Sequence, residues 1–262
     1  MSNLHRISSR DNPNVKALRA LIEDPRRQGR ALVDGIHLVA TCLGRSVEVV
    51  QLLVSDSGQH HPEIAGLLSG AAGIDRLLLS DGLFREISGV AAPTGIAAVI
   101  AIPVASGDEC LGDALLLDAV QDAGNVGAIL RTAAAAGVHE VLLGPGCAGA
   151  WTPRVLRAGQ GAHFSLSIRE QADLAAAMAA CPATSIATVA RDGTSIYELD
   201  LRRPLLWLMG NEGAGVSANL AAAAKWRATI PLAGGTESLN VAAATAVCLF
   251  EAKRQRAAAA VR

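Results

Sequence analysis

Aromatic side chains are nearly missing from this 262-residue chain, which has three Trp, three Phe and one Tyr. A core large enough for one big domain or two ordinary ones must therefore be built from Ala, Leu, Val and Ile. Their small volumes suit close helix–sheet layering better than an aromatic-filled sandwich. Net charge is nearly missing too, at −1, so no global basic field advertises nucleic acid. Cysteines are few and unpatterned: Cys42, Cys110, Cys147, Cys181 and Cys248 are odd in number, scattered, and never in a CxxC pair. That argues against a disulfide framework or zinc site and leads us to expect reduced thiols. Long apolar runs are lacking as well, since residues 95–105 (GIAAVIAIPVA) are too short to span a bilayer. The first sixteen residues, MSNLHRISSRDNPNVK, hold no signal-peptide core, and the expectation is a soluble, cytoplasmic protein. No GxSxG elbow, HExxH, Walker A loop or aspartate-rich metal motif is present. His60 and His61 lie in a polar stretch and should be exposed. His139 and His163 read as core or supporting residues, with no second His at metal spacing, so no metal is expected.

What is present is first an uneven charge distribution. Arg6, Arg10, Lys16, Arg19, Arg26, Arg27 and Arg30 face only Asp11, Glu23 and Asp24 in the first 30 residues. Solvated helix faces account for such a cluster as well as a phosphate-binding surface does. Of these, Arg10, Lys16, Arg26, Arg27 and Arg30 are the candidates for contact with phosphates. Asn12 before Pro13, with Val15, Leu18, Leu21 and Ile22 at helical spacing, predicts a capped first helix. Short aliphatic strands at 30–35, 47–55, 76–80 and 96–101 then alternate with helices near 36–43, 61–69 and 81–87. That is a small α/β domain, residues 1–105. Residues 106–113, polar and glycine-containing, read as a linker. From 114 to 262 the alternation restarts, with strands near 114–120, 140–144, 164–168, 185–190, 205–209 and 228–232. Helices near 126–137, 152–159, 170–180, 215–224 and 239–257 separate them. The fold class is α/β, with a mostly parallel sheet covered on both faces.

Three times in this second stretch an apolar strand runs into a small polar turn and then a helix. The segments are 114–131 (ALLLDAVQDAGNVGAILR), 205–217 (LLWLMGNEGAGVS) and 228–241 (ATIPLAGGTESLNV). Strand-to-helix turns lie at the carboxyl edge of a parallel sheet, where α/β proteins build ligand sites. The first turn places Asn125 at a strand end and Arg131 in the following helix; lacking GxGxxG, it is a poor dinucleotide fingerprint. The second packs three glycines around Glu212, which either caps a helix or binds a cation or hydroxyl, and which is positioned to pair with Arg131. In the third, Ser238 or Asn240 caps the last helix, and Lys253, Arg254 and Arg256 should meet its negative end.

Together these turns resemble the signature motifs of the SpoU/TrmH family of RNA ribose 2′-O-methyltransferases, in the SPOUT class. Asn125 with Arg131, GNEGAGVS around Glu212, and IPLAGGTESLNVAAATAVCLFEAKRQR carry the likeness. Residues 30–43 and 79–102 are similar to the family's accessory RNA-binding domain, related in shape to ribosomal protein L30e. Ala123, Leu232 and Asp34 depart from the commoner Pro, Met and Glu without removing a catalytic side chain. Residues 157–164 (RAGQGAHF) vary a segment where Ser is frequent. The resemblance implies a deep trefoil knot after about residue 180, S-adenosylmethionine bent within it, and a homodimer using the last helix. It implies that Asn125, Arg131, Glu212, Ser238 and Asn240 serve catalysis, and that Thr188, Gly210, Ile230, Leu232 and Leu239 hold the cofactor. The implied activity is methyl transfer to a ribose 2′-hydroxyl of structured RNA, ribosomal RNA being favoured over tRNA. Two rivals are a non-catalytic RNA-binding or ribosome-assembly protein and a Rossmann-type nucleotide enzyme.

Overall fold

The structure, a computed structural model, describes residues 5–45, 47–105, 112–234 and 236–260. Most of the expected linker, and Cys110, lie outside the described residues. The chain divides into two compact units, Met1–Pro103 with Trp151–Phe164, and Val104–Ala150 with Ser165–Arg262.

The first unit runs β1 (His5–Ile7), α1 (Pro13–Glu23), α2 (Pro25–Gln28), β2 (Arg30–Asp34), α3 (Ile36–Leu43), β3 (Val49–Ser55), α4 (Pro62–Gly70), β4 (Asp75–Leu79), α5 (Asp81–Ser88) and β5 (Ile96–Ala101). Asn12 caps α1 as its sequence predicts, its side chain accepting the Asn14 N–H at 2.9 Å. The sheet order is β1-β4-β3-β5-β2, parallel through β3 and antiparallel from there on. Leu18, Leu32, Leu53, Leu79, Phe84 and Ile87 close its core. The helix Pro153–Gly159, taken in chain order below as α7, packs against β2 in this unit. Arg157 reaches Asp34 at 4.0 Å and donates to the Ser88 carbonyl at 3.2 Å.

The second unit continues with β6 (Ala114–Asp118), α6 (Ala123–Ala136), β7 (Glu140–Leu143), then α7 in the first unit, β8 (Ser167–Glu170), α8 (Leu174–Ala180), β9 (Thr184–Thr188), β10 (Thr194–Ser195), β11 (Leu205–Gly210), α9 (Ala218–Ala223), β12 (Trp226–Thr229) and α10 (Val241–Ala260). Its seven strands are ordered β10-β12-β9-β11-β6-β7-β8, and every neighbouring pair is parallel. Strands buried on both faces read as unbroken apolar runs, as Leu115–Leu117 and Leu205–Met209 do.

Three expectations are corrected. Cys181 is disulfide-bonded, because scatter along a sequence does not report separation in space; Cys42, Cys147 and Cys248 are free. Burial pushes the Cys42 and Cys248 thiols up to about 12, so both are inert at neutral pH. The last helix runs on to Ala260, so Lys253, Arg254 and Arg256 do not meet its end. Instead Lys253 donates to the Ala135 carbonyl at 3.0 Å in the last turn of α6, Arg254 pairs with Glu251, and Arg256 pairs with Asp113. His163 is buried beside Trp151, ring centroids 5.3 Å apart, but His139 is exposed. His60 and His61 are exposed, as expected.

Candidate active site

The carboxyl ends of β6, β9, β11 and β12 point their turns at one region. Asp122 caps α6 by accepting the Asn125 N–H at 2.8 Å, so the helix starts at Ala123, three residues earlier than expected. Asn125 therefore sits in the first turn of α6 and not at the strand end. Its amide nitrogen donates to Glu212 Oε1 at 2.9 Å, and its Oδ1 accepts from Asn240 Nδ2 at 2.9 Å. One side chain from each turn thus enters a single chain of hydrogen bonds.

Each partner is placed by its own backbone. Asn240 caps α10, with Oδ1 accepting from Ala242 and Ala243 at 2.9 and 3.3 Å. The two halves of its amide therefore hold the helix and the site separately. The Glu212 loop is closed on itself: Asn211 and Gly215 exchange backbone hydrogen bonds, and Asn211 Oδ1 accepts from Gly213 and Ala214. A Cβ at Gly210 would come within 2.0 Å of Gly215 and Val216 backbone atoms, so only glycine allows that closure. Asp118, at the end of β6, accepts the Ser217 N–H at 2.7 Å and ties the first turn to the second.

Burial alone would raise the Glu212 carboxyl. The hydrogen bond from Asn125, with backbone groups of Glu212, Asp122 and Gln121, outweighs it and holds the group below the ordinary carboxylate range. Glu212 is ionised at neutral pH beside the positive end of α6. Its partner is Asn125 and not Arg131. Arg131 is exposed, six residues and roughly 9 Å of helix rise beyond Asn125, and no hydrogen bond or ion pair holds it among the described residues.

Beside this cluster lies a cavity of about 480 Å³, within the usual range for small-molecule sites. Thr188, Gly210, Ile230, Leu232 and Leu239 all line it, as do Glu212 and Ser238. The Thr188 hydroxyl donates to the Leu208 carbonyl at 2.9 Å, so Thr188 fixes the wall. Ile230 and Leu232 lie past the end of β12, flanking Pro231, which cannot extend a ladder. The walls are largely apolar, with glycine backbone at one side: a fit for a nucleoside with a charged appendage. No group of His, Cys, Asp and Glu among the described residues is arranged to hold a metal ion.

Of the N-terminal cations, Arg10 pairs with Glu86 and Lys16 with Asp11. Arg26, Arg27 and Arg30 are exposed and outside any ion pair among the described residues. Sequence reading missed Asp118, Asp122 and Asn211; the Asp122 cap before a glycine-containing helix start was the available signal.

Residues 114–250, more than half the chain and all three turns, match the model of the SpoU rRNA Methylase family. The chain belongs to that family. Residues 12–98 match the MRM3-like substrate binding domain, which accompanies the SpoU region here. One relative is the 23S rRNA (guanosine(2553)-2′-O)-methyltransferase RlmP of Bacillus subtilis, 33% identical over 94% of this chain and 98% of its own. Among solved structures, the AdoMet-bound rRNA methyltransferase from Sinorhizobium meliloti superposes with a TM-score of 0.82 at 27% identity, covering 96% of this chain and 98% of that one. The SpoU methyltransferase AviRb from Streptomyces viridochromogenes, in complex with AdoMet, gives 0.80 at 26% identity over 94% and 100%.

Proposed function

We propose that this SpoU-family chain transfers a methyl group from S-adenosylmethionine to a ribose 2′-hydroxyl of ribosomal RNA. The observation that carries the reading is the Asn240–Asn125–Glu212 chain of hydrogen bonds at the mouth of an apolar, glycine-edged cavity. The RlmP and AviRb likenesses support it. The residues fit the donor: Ile230, Leu232 and Leu239 offer apolar walls for adenine, and Gly210 leaves main chain open to it. When bound, S-adenosylmethionine supplies a methyl group already activated on a sulfonium. The protein must therefore align that carbon with the hydroxyl and receive its proton as the O–C bond forms and the S–C bond breaks. Asn125, Glu212, Ser238 and Asn240 orient the ribose and the donor. Arg131 is a poor proton acceptor, because a charged guanidinium carries only N–H donors and no lone pair. Its exposure and its lack of a partner among the described residues suit a phosphate clamp that holds the nucleotide and favours loss of the hydroxyl proton.

The N-terminal stretch, residues 1–105, serves as the RNA-binding domain, with Arg10, Lys16, Arg26, Arg27 and Arg30 on phosphates. Arg26, Arg27 and Arg30 are the stronger candidates, since no carboxylate among the described residues pairs with them. Residues 114–262 form the transferase domain, which we take to be knotted after about residue 180. The crossover order of β9, β11 and β12 in the sheet supports that reading. The working form is a cytoplasmic homodimer joined partly through α10, where Phe250 is exposed; a monomer by sedimentation at micromolar concentration refutes this.

The test is transfer of labelled methyl from S-adenosylmethionine to bulk RNA, followed by mapping of ribose methylation with and without the gene. New methylation confined to 23S rRNA is expected, and no transfer overturns the proposal. For Arg131, single-turnover rates of Arg131→Lys and Arg131→Ala over pH, with RNA binding measured separately, are expected to fall with weakened RNA binding. Wild-type transfer in both removes Arg131 from the mechanism.

A further inference from the structure

Arg191 and Glu237 stand on the rim of the same cavity, 3.3 Å apart and largely exposed. Neither belongs to the hydrogen-bonded cluster around Asn125. Among the described lining residues Arg191 is the single cation, against the carboxylates of Glu212 and Glu237, so the formal lining charge is one minus two, or −1. Resting on the reading of S-adenosylmethionine as methyl donor, we propose that Arg191 and Glu237 clamp the zwitterionic amino-acid tail of that donor. Arg191 takes the α-carboxylate and Glu237 the α-ammonium.

The charges match. The donor carries a sulfonium, an ammonium and one carboxylate, a net +1 against the −1 of the lining. Its carboxylate needs a cation, and Arg191 is the one on offer, with a planar fork suited to bidentate pairing. The backbone under Arg191 is fixed while its side chain is not. Val189 N–H donates to the Ala228 carbonyl at 2.9 Å, and Thr229 Oγ1 donates to the Ala190 carbonyl at 3.1 Å. Gly193 lies so close to Ala228 and Thr229 that a Cβ would sit 2.9 Å from their backbone atoms. Glu237 is three residues ahead of Asn240, the cap of α10. An exposed ion pair is weak and readily exchanged. Replacing each partner by the opposite charge of a zwitterion leaves both side chains paired, so the tail enters without stranding a charge.

The experiment compares two adenosine ligands by titration calorimetry: S-adenosylhomocysteine, which has the tail, and 5′-methylthioadenosine, which lacks it. The wild type should bind the first more tightly. In Arg191→Ala that preference should shrink about tenfold, with methylthioadenosine affinity unchanged, which also certifies the fold. Glu237→Gln should shrink it too, and the swapped pair Arg191→Glu with Glu237→Arg should stay impaired because the ligand's charges are fixed. A preference unchanged in Arg191→Ala, an equal loss for both ligands, or restoration by the swap overturns the clamp and leaves only a surface ion pair. A wild type that binds neither ligand overturns the donor assignment itself, and the clamp with it.

Discussion

Asn125 donates to a carboxylate on one side and accepts from an amide on the other, which fixes the orientation of its own amide. No single neighbouring residue of the α6 sequence foretells this. Asp34 shows the opposite economy. It is buried, Ser88 donates to its Oδ2 at 2.7 Å, and its Oδ1 has no hydrogen-bond partner among the described residues. Burial raises its pKa, with the Ser88 hydrogen bond and the Arg157 charge acting against that shift. The folded state then holds the Asp34 proton more tightly than the unfolded chain does. The stability this contributes is fully present below the unfolded carboxylate value, about 4, and is lost as pH rises through the raised folded value. Asp34→Asn removes that slope. Urea midpoints measured from pH 4 to 7 should shift steadily in favour of the variant as pH rises; a constant difference would show that Asp34 does not titrate this way.

At the scale of elements, α10 is the informative case. Asn240 caps it with Oδ1 and serves the site with Nδ2, so the two duties separate chemically. Asn240→Ala should lower stability by about 1 kcal/mol and lose methyl transfer. Asn240→Asp keeps an acceptor for the cap but cannot donate to Asn125. It should nearly preserve the thermal midpoint while slowing single-turnover transfer at least tenfold; equal damage to both quantities in the two variants would show that capping is all Asn240 does. The alternation of strands and helices was legible because apolar periodicity is a local property. The strand β10, two residues long, was not, since nothing local distinguishes it from loop. The start of α6 was misplaced for a related reason: Gly124 and Asn125 read as turn residues, and only the Asp122 cap reveals that the helix has begun. The basic run 253–256 looked like a helix terminus, yet Arg256 is held by Asp113 and by the Leu201 and Arg203 carbonyls, contacts 53 or more residues away.

For the whole molecule, the compact units do not follow chain order. Trp151–Phe164 lies with the first unit although the second has already begun. Val155 and Leu156 are buried, and Gly161 leaves room against Thr41 and Leu38, where a Cβ would meet Thr41 Cγ2 at 3.2 Å. Leu156→Ala should cost about 2–4 kcal/mol. In hydrogen exchange the loosening should appear in β2 and leave β6 protected; the reverse pattern would show that α7 stabilises the second unit. Sequence alone had no access to this, because nothing local in α7 says which unit its buried face packs against. The family was accessible, since GNEGAG and SLNV are short contiguous strings. The exchange of Arg131 for Asn125 as the partner of Glu212 was not, because it depends on where α6 starts.

The bond from Asn240 to Asn125 spans 115 residues. At a synthesis rate of about 5–20 residues per second, roughly 6–23 s pass between the appearance of the two side chains on the ribosome. Through that interval Glu212 and the glycine loop can form, but the Asn125 amide lacks one of the two contacts that orient it. The arrangement we propose for catalysis is therefore among the last things the chain completes, and a nascent polypeptide still short of α10 has yet to assemble it.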